Sequence, residues 1–536
     1  MKFLNWLLYQ SHRWLGVVLG IFMFVWITSG LVIMYSTPTT QTRSQQLAHA
    51  EPLLPDSNWL SLGEVWQRSA EQRQALVDVQ QSNGHGAAEK ANPAPATILD
   101  ARLQRIAGEP LWLVEDSRGK RFALSALDGS LKNISVEQAL TIAQHWAKAQ
   151  GLNDPLEFAH LETVDAPIIL RNQDALKPFH RVGFGGESYE LLISSRTGEV
   201  LHASTAFNRA FYWAGNWIHT FKPLTSLGLE HQRHLIQQWA GGLAAIACLT
   251  GLIIGWLRWR PGFGGKRTYS EGRTQPYREF WAKWHFWTGL IGGSLALFWA
   301  SSGFLETNPA HLFSSPDVSK VEKARYLGAE LPDLVANWQP TLKYSAIEGS
   351  ELVELTWKRV ANEAVLLAYT QKGERWPQAL SGASAKITET ALLTGIQRLS
   401  ANTAVANQQL LSDYDSYYYP RHHQTLVERP LPILKVDLAD EAGTRFYIDP
   451  QDGRILAKLD RSRRLFRWVY SALHHWDFGW LYYRPIWDLW MLTWIGFGIV
   501  LGASSLVLGW RRLKLTFVPK KKPVKVARAK SQLLPD

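Results

Sequence analysis

The stretch HRWLGVVLGIFMFVWITSG, residues 12–30, decides the fold. After His12-Arg13 it carries no charged side chain. Such a run reads as a membrane-spanning helix, since about 20 apolar residues cross a hydrocarbon core of roughly 30 Å. The pattern returns as HFWTGLIGGSLALFWASSG, residues 285–303. His12, Trp14, Gly16, Gly20, Trp26 and Ser29-Gly30 become His285, Trp287, Gly289, Gly293, Trp299 and Ser302-Gly303, all at an offset of 273.

Working outward, four apolar runs read as spans: Trp14–Ser36, Leu235–Leu257, Phe286–Leu305 and Ile486–Trp510. Asp488 is their one charge and lies at an edge. The mean hydropathy of −0.15 is therefore an average over spans and long polar blocks. The net charge of +11 over 536 residues is also unevenly placed. Segments 1–13, 258–284 and 511–536 carry +2, +5 and +8, leaving −4 for the rest. Lys and Arg concentrate in cytoplasmic segments. These three segments, including both termini, are thus expected in the cytoplasm, with two large blocks on the other side of the membrane. The basic charge reads as a topology signal and not as a nucleic-acid footprint. Ala48-His49-Ala50 looks like a signal-peptide cleavage site, but the apolar run before it is too long and too distant. An uncleaved anchor is expected.

The ends of the two halves also match. Gly198, Phe211, Trp213 and His219 recur 255 positions later as Gly453, Phe466, Trp468 and His474. Each half therefore reads as span, outside domain, amphipathic pre-helix, span. Both halves begin on the same side, which makes them parallel repeats. The expected plan is a cytoplasmic start and first span (1–36), a periplasmic domain (37–210) and a pre-helix with the second span (211–257). A cytoplasmic loop (258–284), the third span (285–305) and a second periplasmic domain (306–465) follow. A pre-helix with the fourth span (466–510) and a basic tail (511–536) close the chain. Both outside domains read as α+β. Ser135-x-x-Gln138 is a capping box opening a helix to about residue 150, and a similar segment follows Thr388. Strand–turn–strand patterns occupy 192–201 and 447–456, while 82–98 reads as a loop.

The single cysteine, Cys248, excludes an intramolecular disulfide, a four-thiolate cluster and covalent C-x-x-C-H haem attachment. A metal or cofactor must then be held by histidine, carboxylate or tyrosine. His12 and His285 open spans one and three. Gly16 and Gly20 follow His12 at i+4 and i+8, as Gly289 and Gly293 follow His285, so each imidazole shares a bare helix face with two glycines. Such a face suits a flat macrocycle; it equally suits close helix packing. His219 and His474 end the pre-helices, near the opposite membrane face. From His12 to Gly30 is roughly 27 Å of helix. One symmetric pair near each face suits two bis-histidine b-type haems, which need no cysteine. His234 and His475 are alternative ligands for the outer pair. Tyr417, Tyr419, His422 and His423, with Tyr414 and Tyr418, form an oxygen- and imidazole-rich segment. It could dock a ferric substrate, or supply ordinary aromatic packing.

These settings resemble the PepSY-associated transmembrane (PepSY-TM) family. His12-Arg13-Trp14-Leu15-Gly16 with Ser29-Gly30 is similar to the family's opening span, and His285 with Gly289 and Ser302-Gly303 to its third. Ile218-His219 and Leu473-His474 resemble the Leu-His motifs before spans two and four, and Gly-Trp-Arg-Arg at 509–512 the close of span four. The outside blocks resemble PepSY modules, especially Tyr447-Ile448-Asp449-Pro450 through Gly453. The chain departs from the pattern at Phe286, which has no basic character to match Arg13, and at Ile218. Some members are haem-containing inner-membrane ferric-siderophore reductases. The resemblance implies electrons taken from a cytoplasmic or quinol donor and passed through haem to an outer acceptor, a ferric siderophore. The competing reading is a non-catalytic PepSY regulator or scaffold of a periplasmic protease or envelope process. A transporter is disfavoured by the lack of intramembrane charge. No P-loop is present and no dinucleotide fingerprint stands in a strand–helix setting, so a reductase needs a separate electron donor.

Overall fold

Four helices are long and apolar enough to cross a membrane: Lys2–Tyr35, Arg233–Arg258, Phe280–Glu306 and Ile486–Phe517. In this computed structural model the described residues are 2–36, 39–83, 96–152, 156–165, 173–186, 188–328, 351–378, 386–421 and 424–517. The helices outrun the expected apolar runs because polar ends stay helical. The first begins twelve residues before Trp14, and the fourth runs seven past Trp510. The basic residues beyond 517, and most of the expected 82–98 loop, lie outside the described residues.

The chain divides into two compact units. The membrane unit comprises 1–35, 214–310 and 468–536. Its helices meet where side chains are small. A Cβ on Gly502 of the fourth helix would stand 3.1 Å from the Cα of Phe24 in the first. A Cβ on Gly241 of the second would stand 3.2 Å from the backbone of Phe304 in the third. Such close backbone approach is how apolar helices gain contact in lipid, where burial alone gives nothing.

The second unit, 36–213 and 311–467, is built on strands. The first block supplies β1 (Ile98–Ile106), β2 (Glu109–Asp116), β3 (Arg121–Ser125), β4 (Leu131–Lys132), β5 (Phe158–Val164), β6 (Phe179–Phe184), β7 (Tyr189–Ser194) and β8 (Val200–Thr205). The second supplies β9 (Leu352–Val360), β10 (Glu363–Thr370), β11 (Arg375–Gln378), β12 (Val405–Leu411), β13 (Ile433–Leu438), β14 (Arg445–Ile448) and β15 (Ile455–Leu459). Each block folds a four-stranded antiparallel sheet, β5-β6-β7-β8 or β12-β13-β14-β15, beneath one helix. Those helices, Val136–Ala149 and Glu389–Leu399, start at the expected caps: Ser135 accepts from the Gln138 amide and Thr388 from the Ala391 amide. Gly198 and Gly453 turn the strand pairs at φ of 73° and 71°, where a Cβ is disfavoured. Each also lies under a branched residue, Ile106 or Val360.

The two blocks do not stay apart: β1 pairs antiparallel with β9, Ala101 opposite Trp357 and Leu103 opposite Leu355. This makes a seven-stranded sheet in the order β11-β10-β9-β1-β2-β3-β4. Buried Glu354 in β9 takes Gln104 of β1 at 2.7 Å and ion-pairs with Arg43 of the first block. Breaking such a buried pair from one side costs about 3–5 kcal/mol.

Candidate functional site

The four repeat-related histidines meet in pairs. His12 of the first helix faces His285 of the third, with ring centroids 6.1 Å apart. His219 faces His474, with ring centroids 6.2 Å apart. Two imidazoles sharing one metal ion would be separated by two metal–nitrogen bonds of about 2 Å plus about 1 Å from each nitrogen to its ring centre. The result is close to 6 Å, so each pair has the span to hold one ion from both sides.

The hydrogen bonds fix which nitrogen is presented. All four rings bond through Nδ1. His12 Nδ1 lies 3.0 Å from the Ala247 carbonyl of the second helix, which can only accept. His219 Nδ1 lies 3.1 Å from both the Trp26 carbonyl and Ser29 Oγ. His474 Nδ1 lies 2.9 Å from Ser302 Oγ, and His285 Nδ1 lies 3.2 Å from Ser504 Oγ and 3.3 Å from Ser505 Oγ. Each of these serines donates its own proton to a carbonyl one helical turn back: Ser29 to Trp26, Ser302 to Phe298 and Trp299, and Ser504 and Ser505 to Leu501. The hydroxyls therefore accept, and Nδ1–H donates in every case. This is the tautomer that leaves the Nε2 lone pair available, and orienting partners of this kind are what metal-ligating histidines carry.

The pairs lie far apart. Ser29 is 17 residues beyond His12 on one continuous helix, about 26 Å at 1.5 Å per residue. Ser302 stands in the same relation to His285.

The His12–His285 pair lines a cavity of about 330 Å³ within the membrane unit. Gly16, Gly20, Gly289 and Gly293 all line it. A Cβ on Gly16 would touch nothing within 4 Å, and one on Gly20 would make only ordinary contact at 3.8 Å. A Cβ on Gly289 would meet Leu501 at 3.5 Å, and one on Gly293 would crowd Leu252 of the second helix at 3.0 Å. Gly16 therefore opens on the cavity, whereas Gly293, like Gly502, lies where a neighbouring helix packs. The second pair sits among aromatic rings. Trp26 lies 5.6 Å from His219, and Tyr470 stacks on His474 at 5.2 Å.

Several contributors went unread in the sequence. Gly251 of the second helix leaves room for His12, whose Cε1 would be 2.6 Å from a Cβ there. The repeated Ser-Gly dipeptides were visible, but not their part in orienting His219 and His474. Each pre-helix passes through a wide i+5 turn, Trp213–Trp217 and Arg467–Ala472. Two residues after each histidine, Phe221 and Trp476 adopt φ of 59° and 52°. Bulky side chains rarely adopt this left-handed conformation, and such strain collects at functional sites.

The alternative ligands are not brought to the pairs. His234 is exposed and its Nε2 lies 3.1 Å from Arg233. His475 packs beside His474 at 5.2 Å, but it is His474 that faces His219. Tyr417 and Tyr419 lie near Arg445 and Arg467. The Tyr414 and Tyr418 hydroxyls are taken by the Arg429 and Pro430 carbonyls. His422 and His423 lie outside the described residues.

The profile of the PepSY-associated TM region matches residues 9–319, which include His12, His219 and His285. No curated protein matches the chain. The match spans more than half of the sequence, and the chain belongs to the PepSY-associated transmembrane family.

Proposed function

We propose that this protein is a transmembrane oxidoreductase of the bacterial inner membrane, with two b-type haems, one at each histidine pair. It passes electrons from the cytoplasmic side to a periplasmic acceptor. The acceptor class is a ferric siderophore, whose iron is released once reduced because siderophores hold iron(II) weakly. The observation that carries this reading is the double pairing of His12 with His285 and of His219 with His474, every ring donating through Nδ1. Bound haem would supply one-electron chemistry at its iron. The chain's part is to hold each imidazole in the ligating tautomer, to keep water from the apolar cavity, and to set the two sites at opposite ends of the bundle. The basic charge of segments 258–284 and 511–536 supports a cytoplasmic position for the His12–His285 pair, nearest a reduced flavin, quinol or protein donor.

The test is the visible spectrum of full-length protein purified in detergent from haem-replete cells, oxidised and dithionite-reduced. Low-spin bis-histidine bands and two haems per chain are expected, with reoxidation on adding a ferric siderophore. Colourless protein that co-purifies with a periplasmic partner would overturn the reading in favour of a regulator or scaffold.

A further inference from the structure

The cavity that holds His12 and His285 is apolar over most of its wall, yet three guanidiniums line it: Arg13, Arg258 and Arg512. Among the described residues, no aspartate or glutamate lines it. The three belong to one end of the bundle. Arg13 is near the start of the first helix, Arg258 closes the second, and Arg512 lies in the last turns of the fourth.

None of them is matched by a carboxylate among the described residues. Arg258 donates to two neutral phenols, Tyr277 Oη at 2.6 Å and Tyr9 Oη at 3.4 Å. Arg13 reaches only Gln10, at 3.4 Å. The Nε of Arg512 is buried with no hydrogen-bond partner. Its neighbour Arg511, by contrast, pairs with Glu279 at 2.8 Å. Arg13 is exposed, while Arg258 and Arg512 are half-buried; a half-buried cation without an anion is costly, and a guanidinium is shaped to take a carboxylate through two parallel N–H bonds. The wall thus asks for a ligand that is flat and apolar in its body, open to imidazole on both faces, and dianionic along one edge.

We infer that Arg258 and Arg512 bind the two carboxylates of the porphyrin held between His12 and His285. This rests on the haem reading above. Tyr9 and Tyr277 are positioning residues that hold the Arg258 guanidinium at the cavity. A porphyrin held by these residues would have its carboxylates at the arginine end of the cavity.

The experiment uses full-length His474→Ala protein, which keeps only the His12–His285 pair, made in haem-deficient cells and purified in detergent without anionic lipid. It is titrated with haemin and with haemin dimethyl ester, followed by absorbance. Haemin is expected to bind at least ten times more tightly than the diester. The double variant Arg258→Leu/Arg512→Leu should bring haemin down to the diester's affinity while leaving the diester's own affinity unchanged, which also shows that the variant is folded. Equal binding of both porphyrins before the arginines are changed would overturn the inference and leave a lipid phosphate as the anion these arginines serve. A preference for haemin that survives the double variant would overturn it too. If neither porphyrin gives a histidine-ligated spectrum, the haem reading itself falls, and this inference with it.

Discussion

Ser302 Oγ lies 2.9 Å from His474 Nδ1, while its own proton goes to the Phe298 and Trp299 carbonyls at 2.6 and 3.1 Å. The serine is therefore a fixed acceptor, and it holds His474 in the tautomer that presents Nε2 to His219. Ser302→Ala removes the ring's side-chain acceptor. Loss of such an orienting partner typically lowers metal affinity about 10–100-fold, and a loss in that range is expected for haem at the outer pair, read from retention on prolonged dialysis. Ser504→Ala should cost less at the inner pair, because Ser505 stays within 3.3 Å of His285. Equal retention by Ser302→Ala and unaltered protein would remove the orienting role.

The pairing predicts haem content residue by residue. His12→Ala or His285→Ala should leave one haem per chain, and so should His219→Ala or His474→Ala, with different residual spectra for the two sets. His234→Ala and His475→Ala should keep both. Pyridine haemochrome assays on purified protein decide the matter; loss of a haem in His475→Ala but not in His474→Ala would reverse the ligand assignment.

Gly16 and Gly251 line the same cavity and should respond for different reasons. A Cβ on Gly251 would lie 2.6 Å from His12 Cε1, and one on Gly16 meets no protein atom within 4 Å and projects into the cavity. Gly251→Ala is expected to push His12 aside and lower inner-site haem occupancy several-fold. Gly16→Ala leaves His12 in place but takes space from the porphyrin, so a smaller loss of occupancy is expected. Occupancy measured in both variants, with the outer haem as internal reference, tests the contrast.

In the β-rich unit His202 is fully buried, and neither ring nitrogen has a hydrogen-bond partner. Burial pushes its pKa down to about 4, opposed by nearby Glu190 and reinforced by Arg209. The unfolded chain takes up the proton near 6.5, whereas the folded chain resists until about 4. The neutral ring's contribution to stability is thus complete above pH 6.5 and is lost as pH falls through that window toward 4. The full effect is roughly 3 kcal/mol, since one pKa unit corresponds to about 1.4 kcal/mol. Thermal unfolding of the full chain between pH 7 and 4 should show a steeper acid loss than His202→Leu. Identical pH profiles would mean that the buried imidazole is not what titrates.

Much of this architecture is legible locally. The apolar runs are long enough that their spans need no tertiary information. The Ser135 and Thr388 caps work through residues three positions away, and Gly198 and Gly453 mark turns through their own backbone freedom. Recurrence of His12, His219, His285 and His474 across the two halves singles them out. The β1–β9 pairing is a different matter. Both strands read as strands, but nothing within either names its partner some 250 residues distant, and the seam's ion pairs exist only once the two blocks meet.

The site divides in the same way. By itself the sequence determined four spans, two α+β blocks, family membership and four candidate histidines, because these depend on composition, periodicity and recurrence along one chain. Only the tertiary structure decided that His474 and not His475 faces His219, that Gly16 opens on a cavity while Gly502 packs, and that unpaired Arg258 and Arg512 share that cavity with His12 and His285. Those outcomes depend on which helices lie side by side. The decisive partners include a backbone carbonyl, that of Ala247 against His12, and a backbone carbonyl carries no side-chain signature for a sequence to display.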